Sequence, residues 1–301
     1  MAERVLSASN GLRAWIDMHL TFLKEWRDIW VLLRRNPLSL LGLSLILLLV
    51  LTAIFAPLLA PFDPIHQELG DRLHPPGGKY LLGTDQLGRD IFSRIIYGSR
   101  ISLKIAFIVA GVAGSIGLIL GAISGYAGGV VDEVLMRITD MFLAFPRLIL
   151  AMAIAAALGP NLTNTVVAIS LVAWPVYARL ARGETLAIRE NDYIHAVRLL
   201  GASRTRILFR HILPLCLNPI IVQMTLDMGG IILIAAGLGF IGFGAQPPTP
   251  EWGVMVSDGR NFIVKEWWVS TFPGCAIFLT VLGFNLLGDG IRDILDPRQR
   301  H

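Results

Sequence analysis

The sequence predicts an all-α membrane protein with six transmembrane helices, on two observations. Its 301 residues are 54% hydrophobic and only 16% charged, with a mean hydropathy of +0.63, whereas soluble domains carry nearer a quarter charged residues. Six apolar runs also reach the roughly 20 residues that a bilayer crossing needs: residues 38–60, 101–125, 134–159, 162–182, 214–244 and 268–288. A large soluble protein with buried helices is disfavoured, because the remaining polar sequence is too short to give six such helices a water-facing surface. The two cysteines, Cys216 and Cys275, both lie inside apolar runs and supply neither a disulfide framework nor a metal cluster.

Residues 1–37 read as a cytoplasmic amphipathic segment. Leu12, Trp15, Ile16, His19, Leu23, Trp26, Trp30 and Leu33 recur at helical spacing, with Lys24, Arg27, Arg34 and Arg35 around them. A helix lying in the inner-leaflet headgroups fits this pattern; a cytosolic helix packed on a partner is the alternative. No cleavable signal is expected, since about 37 polar or amphipathic residues precede the first long apolar run. The chain turns into the membrane at Asn36-Pro37, and residues 38–60 form the first transmembrane helix.

Residues 61–100 make an external loop whose first part, rich in proline, aspartate and histidine, reads as irregular. Ile91, Ile95, Gly98 and Ser102 then repeat at helical spacing. They predict a short amphipathic helix running into the second span, with Thr84 or Asp85 as its N-cap. Asp85 and Asp90 alone are weak evidence for a cation site. Residues 101–289 hold the other five spans, with the largest cytoplasmic loop at 190–214, and 290–301 form a cytoplasmic tail. The third run is the least clean, since it contains Arg137, Asp140 and Arg147.

Lysine and arginine in short loops set orientation. Arg4, Arg13, Lys24, Arg27, Arg34 and Arg35 precede the first span. Arg189, Arg198, Arg204, Arg206 and Arg210 lie between the fourth and fifth, with Arg179 and Arg182 just before them, and Arg292, Arg298 and Arg300 follow the sixth. Six spans place all three regions on one side, the cytoplasm, with both termini. Parity puts the 61–100 loop outside, although it holds Arg72, Lys79, Arg89, Arg94 and Arg100 alongside Asp63, Glu68, Asp71, Asp85 and Asp90.

Catalytic motifs are missing. Gly77-Gly78-Lys79 lacks the first glycine and the hydroxyl of a phosphate loop, so the chain has no ATPase motif. Its six histidines are scattered, without His-Glu-x-x-His, and no Gly-x-Ser-x-Gly occurs. A non-catalytic chain is expected, with no metal site.

Residues 192–214 are the most informative stretch. Ile194, Val197 and Leu200 make one apolar face, and Ile207, Leu208 and Ile212 another. Gly201, with Ser203 two residues on, marks a helix end and a new helix start. Two short helices meeting at a glycine turn, studded with arginines, form a docking knob; the plainer reading is a solvated basic loop. Ala196, Gly201, Ile212 or Leu213, and Pro214 resemble the Glu-Ala-Ala, glycine and apolar-proline positions in the cytoplasmic loop of ABC importer permeases. His195 stands where that motif usually has glutamate, and Val197 replaces its second alanine.

Other segments narrow the resemblance to the dipeptide/oligopeptide/nickel permease group, most like its dipeptide C-subunit branch. They are Leu82-Gly83-Thr84-Asp85-Gln86-Leu87-Gly88-Arg89-Asp90 with Ser93-Arg94, then Phe145-Pro146, then the run from Gly239 through Gln246-Pro247-Pro248-Thr249-Pro250-Glu251-Trp252-Gly253. Asn285-Leu286-Leu287-Gly288-Asp289-Gly290-Ile291-Arg292-Asp293 and Asp296-Pro297 fit as well, so the match runs from Pro37 to Arg298. The resemblance implies a type I ABC importer permease fold in a bacterial inner membrane. It implies a coupling helix in which His195, Ala196, Val197, Arg198, Gly201, Ala202, Ser203, Arg206 and Pro214 engage an ATPase. It also implies a second homologous permease, two subunits that bind the ATP, and an external solute-binding protein, with no cofactor in this chain and no nucleic acid partner. Gly201 is expected to let the two short helices meet closely, and Arg198, Arg204, Arg206 and Arg210 to seek carboxylates. The solute is left open among peptides, glutathione-like peptides and chelated nickel.

Arg147 falls near the middle of the third span and Asp227 near the middle of the fifth. Ionisable groups at that depth cost about 3 kcal/mol on insertion scales and usually face a partner or a wet cavity. Asp140 and Arg147, seven residues apart, are expected to share a helical face. A direct Arg147–Asp227 pair, a shared place on the solute pathway, and an interfacial depth for either residue all remain open. The alternative function is a secondary transporter or channel working without ATPases; a membrane enzyme or a purely structural subunit has no motif in its favour.

Overall fold

The computed structural model describes residues 36–295, the last four by their backbone alone; the amphipathic segment expected before Asn36 and the end of the tail lie outside the described residues. Helix α1 (Pro37–Ile54) begins where Asn36 Oδ1 accepts from the Leu38 and Ser39 N–H groups at 3.0 and 3.4 Å. Pro37 occupies the first turn, where no N–H is needed. The helix stops at Phe55, and one further turn, α2 (Ala56–Leu59), completes the first apolar run. Arg100 donates to the carbonyls of Ala53 and Ile54, satisfying acceptors that the end of α1 leaves free.

The loop of residues 61–90 is built on side-chain contacts. Asp71 accepts from the Tyr80 hydroxyl at 2.7 Å and from Lys79 at 3.1 Å, and these two partners hold its carboxyl below the usual carboxylate range. Asp90 caps the next helix, accepting from the Ser93 N–H at 2.8 Å; Thr84 and Asp85 do not. Thr84 Oγ1 is already engaged with the His74 N–H and the Asp71 carbonyl, and the Asp85 carboxylate with Arg89. Helix α3 (Ile91–Ala127) is unbroken for 37 residues, about 55 Å at the α-helical rise. The second span therefore starts at Ile91, with no separate amphipathic helix before residue 101.

The chain turns at Gly128 into α4 (Gly129–Leu143), breaks at Phe145-Pro146, and resumes as α5 (Arg147–Leu158) bent by 92°. Next come α6 (Leu162–Arg189), α7 (Asp192–Leu199), α8 (Arg204–Ile207), α9 (Leu213–Ile241), α10 (Trp252–Gly259) and α11 (Trp268–Leu295). Among the described residues, five helices are long and apolar enough to cross a membrane, and six spans result when α4 and α5 count as one broken span. The described residues form no named strand.

Helices α3 and α6 form the central seam. Gly117, Gly121 and Gly125 recur every four residues and face Tyr177, Ala178 and Thr185. A Cβ on Gly125 would lie 2.9 Å from the Arg182 carbonyl oxygen, and one on Gly117 or Gly121 would be closer still to α6. Ala173, Ala178 and Ala181 are fully buried opposite. Lipid tails are as apolar as leucine, so close backbone packing of this kind holds membrane helices together. Helix α9 packs on α3, α6 and α11, while α1 leans on α11 with Gly42 against Leu286 and Leu287.

Candidate coupling element and intramembrane charge cluster

Gly201 lies between α7 and α8 with φ of +82°, the left-handed region that an L side chain enters at a cost of about 1–2 kcal/mol. A Cβ there would meet nothing within 4 Å. The glycine thus serves the turn and not the close helix contact expected of it. Ser203 caps α8 by accepting from the Arg206 N–H at 3.3 Å. Ile194, Ile207 and Ile212 are fully buried and anchor the knob to the core. Leu200, expected beside Ile194 and Val197, is instead 87% exposed, next to Leu199 at 89%. It ends the helix, and six residues place it about 240° around from Ile194. His195, Ala196, Arg198, Gly201, Ser203, Arg206 and Pro214 are exposed; Val197 and Ala202 are half-buried.

The second short helix is not separate from the fifth span. Helix α8 runs through a π-helical turn (Leu208–Ile212) into α9, giving one apolar helix over Arg204–Ile241 instead of a span starting near Pro214. Pro214 has no N–H, and its ring crowds the carbonyl four residues earlier. A wider turn just ahead of it relieves both problems. The Tyr193 hydroxyl bonds His211 Nδ1, tying α7 to that turn. Between the knob and the α3–α4 turn lies a groove of about 780 Å³ lined by Tyr126, Val131, Arg198, Ala202, Arg204 and Leu208.

Within the bundle, Arg147 opens α5 directly after the break. Its Nη1 and Nη2 donate to Asp227 Oδ1 and Oδ2 at 2.9 and 3.1 Å, and the Tyr177 hydroxyl donates to Oδ2 at 3.1 Å. The direct pair that the sequence left open is present in the structure. The Arg147 side chain is 31% exposed and that of Asp227 10%; Arg147 Nε is buried without a partner. Asp140 does not share a face with Arg147, because the 92° bend separates them. It pairs with Arg179 at 2.6 Å, while Asp132 accepts from Arg182 Nε and Nη2, each at 2.6 Å. Arg179 and Arg182, counted above as orientation markers, thus also fasten α4 to α6.

At the opposite end, Asp85 accepts from Arg89 Nε at 2.6 Å and lies 3.6 Å from Arg94, while Arg89 reaches Asp258 at 3.4 Å. Both loop carboxylates have protein partners, and no group of His, Cys, Asp or Glu among the described residues is arranged to hold a metal ion. Glu251 caps α10, its two oxygens each accepting at 2.9 Å, from the Gly253 and Val254 N–H groups. Burial pushes its pKa up to about 7 against the pull of those N–H groups. The adjacent Trp252 donates to the Ile95 carbonyl at 3.0 Å, so the Gln246–Gly253 string clasps α9, α10 and α3 together.

Two participants are absent from the sequence-predicted residues. The four-residue spacing of Gly117, Gly121 and Gly125 was a readable signal of close packing. Tyr177 carried none, since an apolar helix with one tyrosine is ordinary.

The family model for the binding-protein-dependent transport system inner membrane component matches residues 117–301, and that for the N-terminal TM domain of oligopeptide transport permease C matches residues 24–76. A probable D,D-dipeptide transport system permease protein of Escherichia coli is 49% identical over 90% of each chain. A dipeptide transport system permease protein of Alkalihalophilus pseudofirmus is 47% identical over 93% of this chain and 92% of its own. A glutathione transport system permease protein of Pectobacterium atrosepticum is 44% identical over 91% of each. In fold, a chain from an inward-facing structure of the MetNI methionine ABC transporter superposes with a TM-score of 0.53 at 21% identity, over 67% of this chain and 96% of that one. The chain therefore belongs to the family of binding-protein-dependent transport system inner membrane components, as a multi-pass permease subunit of an ABC importer with the type I permease fold.

Proposed function

We propose that this chain forms half of the translocation pathway of an importer for di- or oligopeptides, and that residues 190–214 couple it to ATP hydrolysis by partner subunits. The observation that carries the reading is the build of the knob. It presents a pair of exposed leucines, Leu199 and Leu200, and its second helix is continuous with a membrane span. A lever must be stiff, and α8 can pass a push from below into α9 without an intervening loop. The leucines offer a dry seat of the kind that marks an interaction surface, and Arg198, Arg204 and Arg206 around them complement carboxylates on an ATPase.

The partners are a second homologous permease, two ATP-binding subunits and an external solute-binding protein. Both termini and the knob lie in the cytoplasm. The basic residues of the outer loop do not argue against this orientation, because Lys79, Arg89 and Arg94 are matched by Asp71, Asp85 and Asp258. The names of the relatives favour peptides over a nickel chelate as solute, glutathione being itself a tripeptide.

Copurification tests the proposal. Tagged chain extracted from its host in mild detergent should bring two ATPases and a second permease of similar size. A lone chain or a homo-oligomer that moves solute down its gradient would overturn the reading in favour of a secondary transporter.

A further inference from the structure

The Arg147–Asp227 pair is open on one side. The Arg147 side chain is 31% exposed, three times as open as that of Asp227 at 10%. No side chain caps the start of α5, the helix that Arg147 begins, so the positive end of that helix adds to the guanidinium charge. A broken helix survives at membrane depth only where it is buried in protein or lines a wet cavity. An ion pair kept for packing alone gains little over an apolar pair of equal volume. A fork of charge beside a broken, uncapped helix is the arrangement with which transporters receive charged solute groups.

We propose that Arg147, Asp227, Tyr177 and the start of α5 form a transit site for the charged termini of peptides, an inference that rests on the peptide reading above. The peptide carboxylate takes the place of Asp227 on the Arg147 guanidinium. Asp227, still held by the Tyr177 hydroxyl, receives the peptide ammonium. Charge is conserved in the exchange, and the protein pair closes on itself when the solute leaves, so neither ion stands unpaired in the empty pathway. Both contacts address groups common to all free peptides, which makes the site indifferent to side chains.

The test uses the whole reconstituted complex with its ATPases and binding protein, and compares ATP-driven uptake of dialanine with that of dialanine amide, whose terminal carboxylate is blocked. The same binding protein delivers both, so its own preference cancels when the uptake ratio is compared between variants. The neutral double variant Arg147→Gln/Asp227→Asn should keep its ATPase stimulation, while the dialanine-to-amide ratio falls about tenfold, the weight of one hydrogen bond to a charged group. The exchanged variant Arg147→Asp/Asp227→Arg keeps an ion pair for folding but moves the cation away from α5, and its ratio should fall as well. A native ratio in an assembled variant of either kind overturns the inference alone. Absence of dialanine uptake by the unaltered complex, with its ATPases bound, overturns the peptide reading and this inference with it.

Discussion

Two ion clusters in this chain use the same residue types to different ends. At the end of the bundle that carries the 61–90 loop, Asp85 serves Arg89 and Arg94 as well as the N–H groups of Leu87 and Arg89, and these three charged side chains are at most 5% exposed. Within the bundle, Asp227 serves Arg147 and Tyr177, and the arginine keeps nearly a third of its side chain open. Each cluster leaves one arginine Nε without a hydrogen bond, on Arg94 and on Arg147. Both atoms are themselves buried; the difference lies in the rest of the side chain, closed on Arg94 at 2% exposed and open on Arg147 at 31%. Burial of charge therefore does not by itself mark a working site; an ion pair becomes useful only where a solute can approach one of its members.

The sharpest way to break this contrast is Asp85→Ala. It leaves the buried Arg94 without its counter-ion and Arg89 with only Asp258, at 3.4 Å, at a cost of about 3–5 kcal/mol. Thermal unfolding of the purified assembly should fall steeply, or the chain should fail to accumulate in the membrane. A near-native melting temperature would show that water reaches the Asp85 cluster after all.

Glu251→Gln probes the same sealed region through pH. The folded-state pKa of about 7 lies above the reference value of 4.5, so the stability linked to protonated Glu251 is complete below about pH 4.5 and is lost as pH rises through 7. The swing is on the order of 3 kcal/mol. Glutamine carries no charge at any pH, so the variant should show a flatter melting profile between pH 4.5 and 7 than the unaltered protein. An unchanged slope would assign the titration to another group.

Asp227→Ala should cost less than Asp85→Ala, roughly 1–2 kcal/mol, because the arginine left behind is partly in contact with water. Equal losses at the two positions, measured in the same melting assay, would erase the distinction between closed and open clusters. An effect on stability no larger than that of Asp227→Ala is expected at Gly201. A bulky residue there strains one backbone angle by about 1–2 kcal/mol but collides with nothing, so Gly201→Leu should insert and assemble while ATP use runs on without uptake. Normal import by that variant would remove the coupling role from the knob.

The spans were legible because a bilayer imposes a minimum length on any apolar helix, and length is read along the chain. Helix ends were less so. Asp90 takes the cap from Thr84 and Asp85 because those two are engaged elsewhere in the loop, and α8 joins α9 because a π-turn accommodates Pro214. The turn at Gly201 was legible as a turn, but its reason was not: the open space around it is a property of the folded knob. Leu199 and Leu200 look like core in a sequence and stand outside in the structure, since facing direction depends on where α7 ends.

By itself the sequence determined a six-span membrane chain, its basic loop and its family, since hydrophobic length, charge placement and motif spacing are one-dimensional quantities. Only the tertiary structure decided which charges meet. Arg147 and Asp227 are 80 residues apart, and Asp140, a near neighbour of Arg147 in sequence, is carried to Arg179 by the bend at Phe145-Pro146. In a bundle whose backbones approach through glycine and alanine, the pairing of ions is set by which helix faces come into contact, and that is a property of packing in three dimensions.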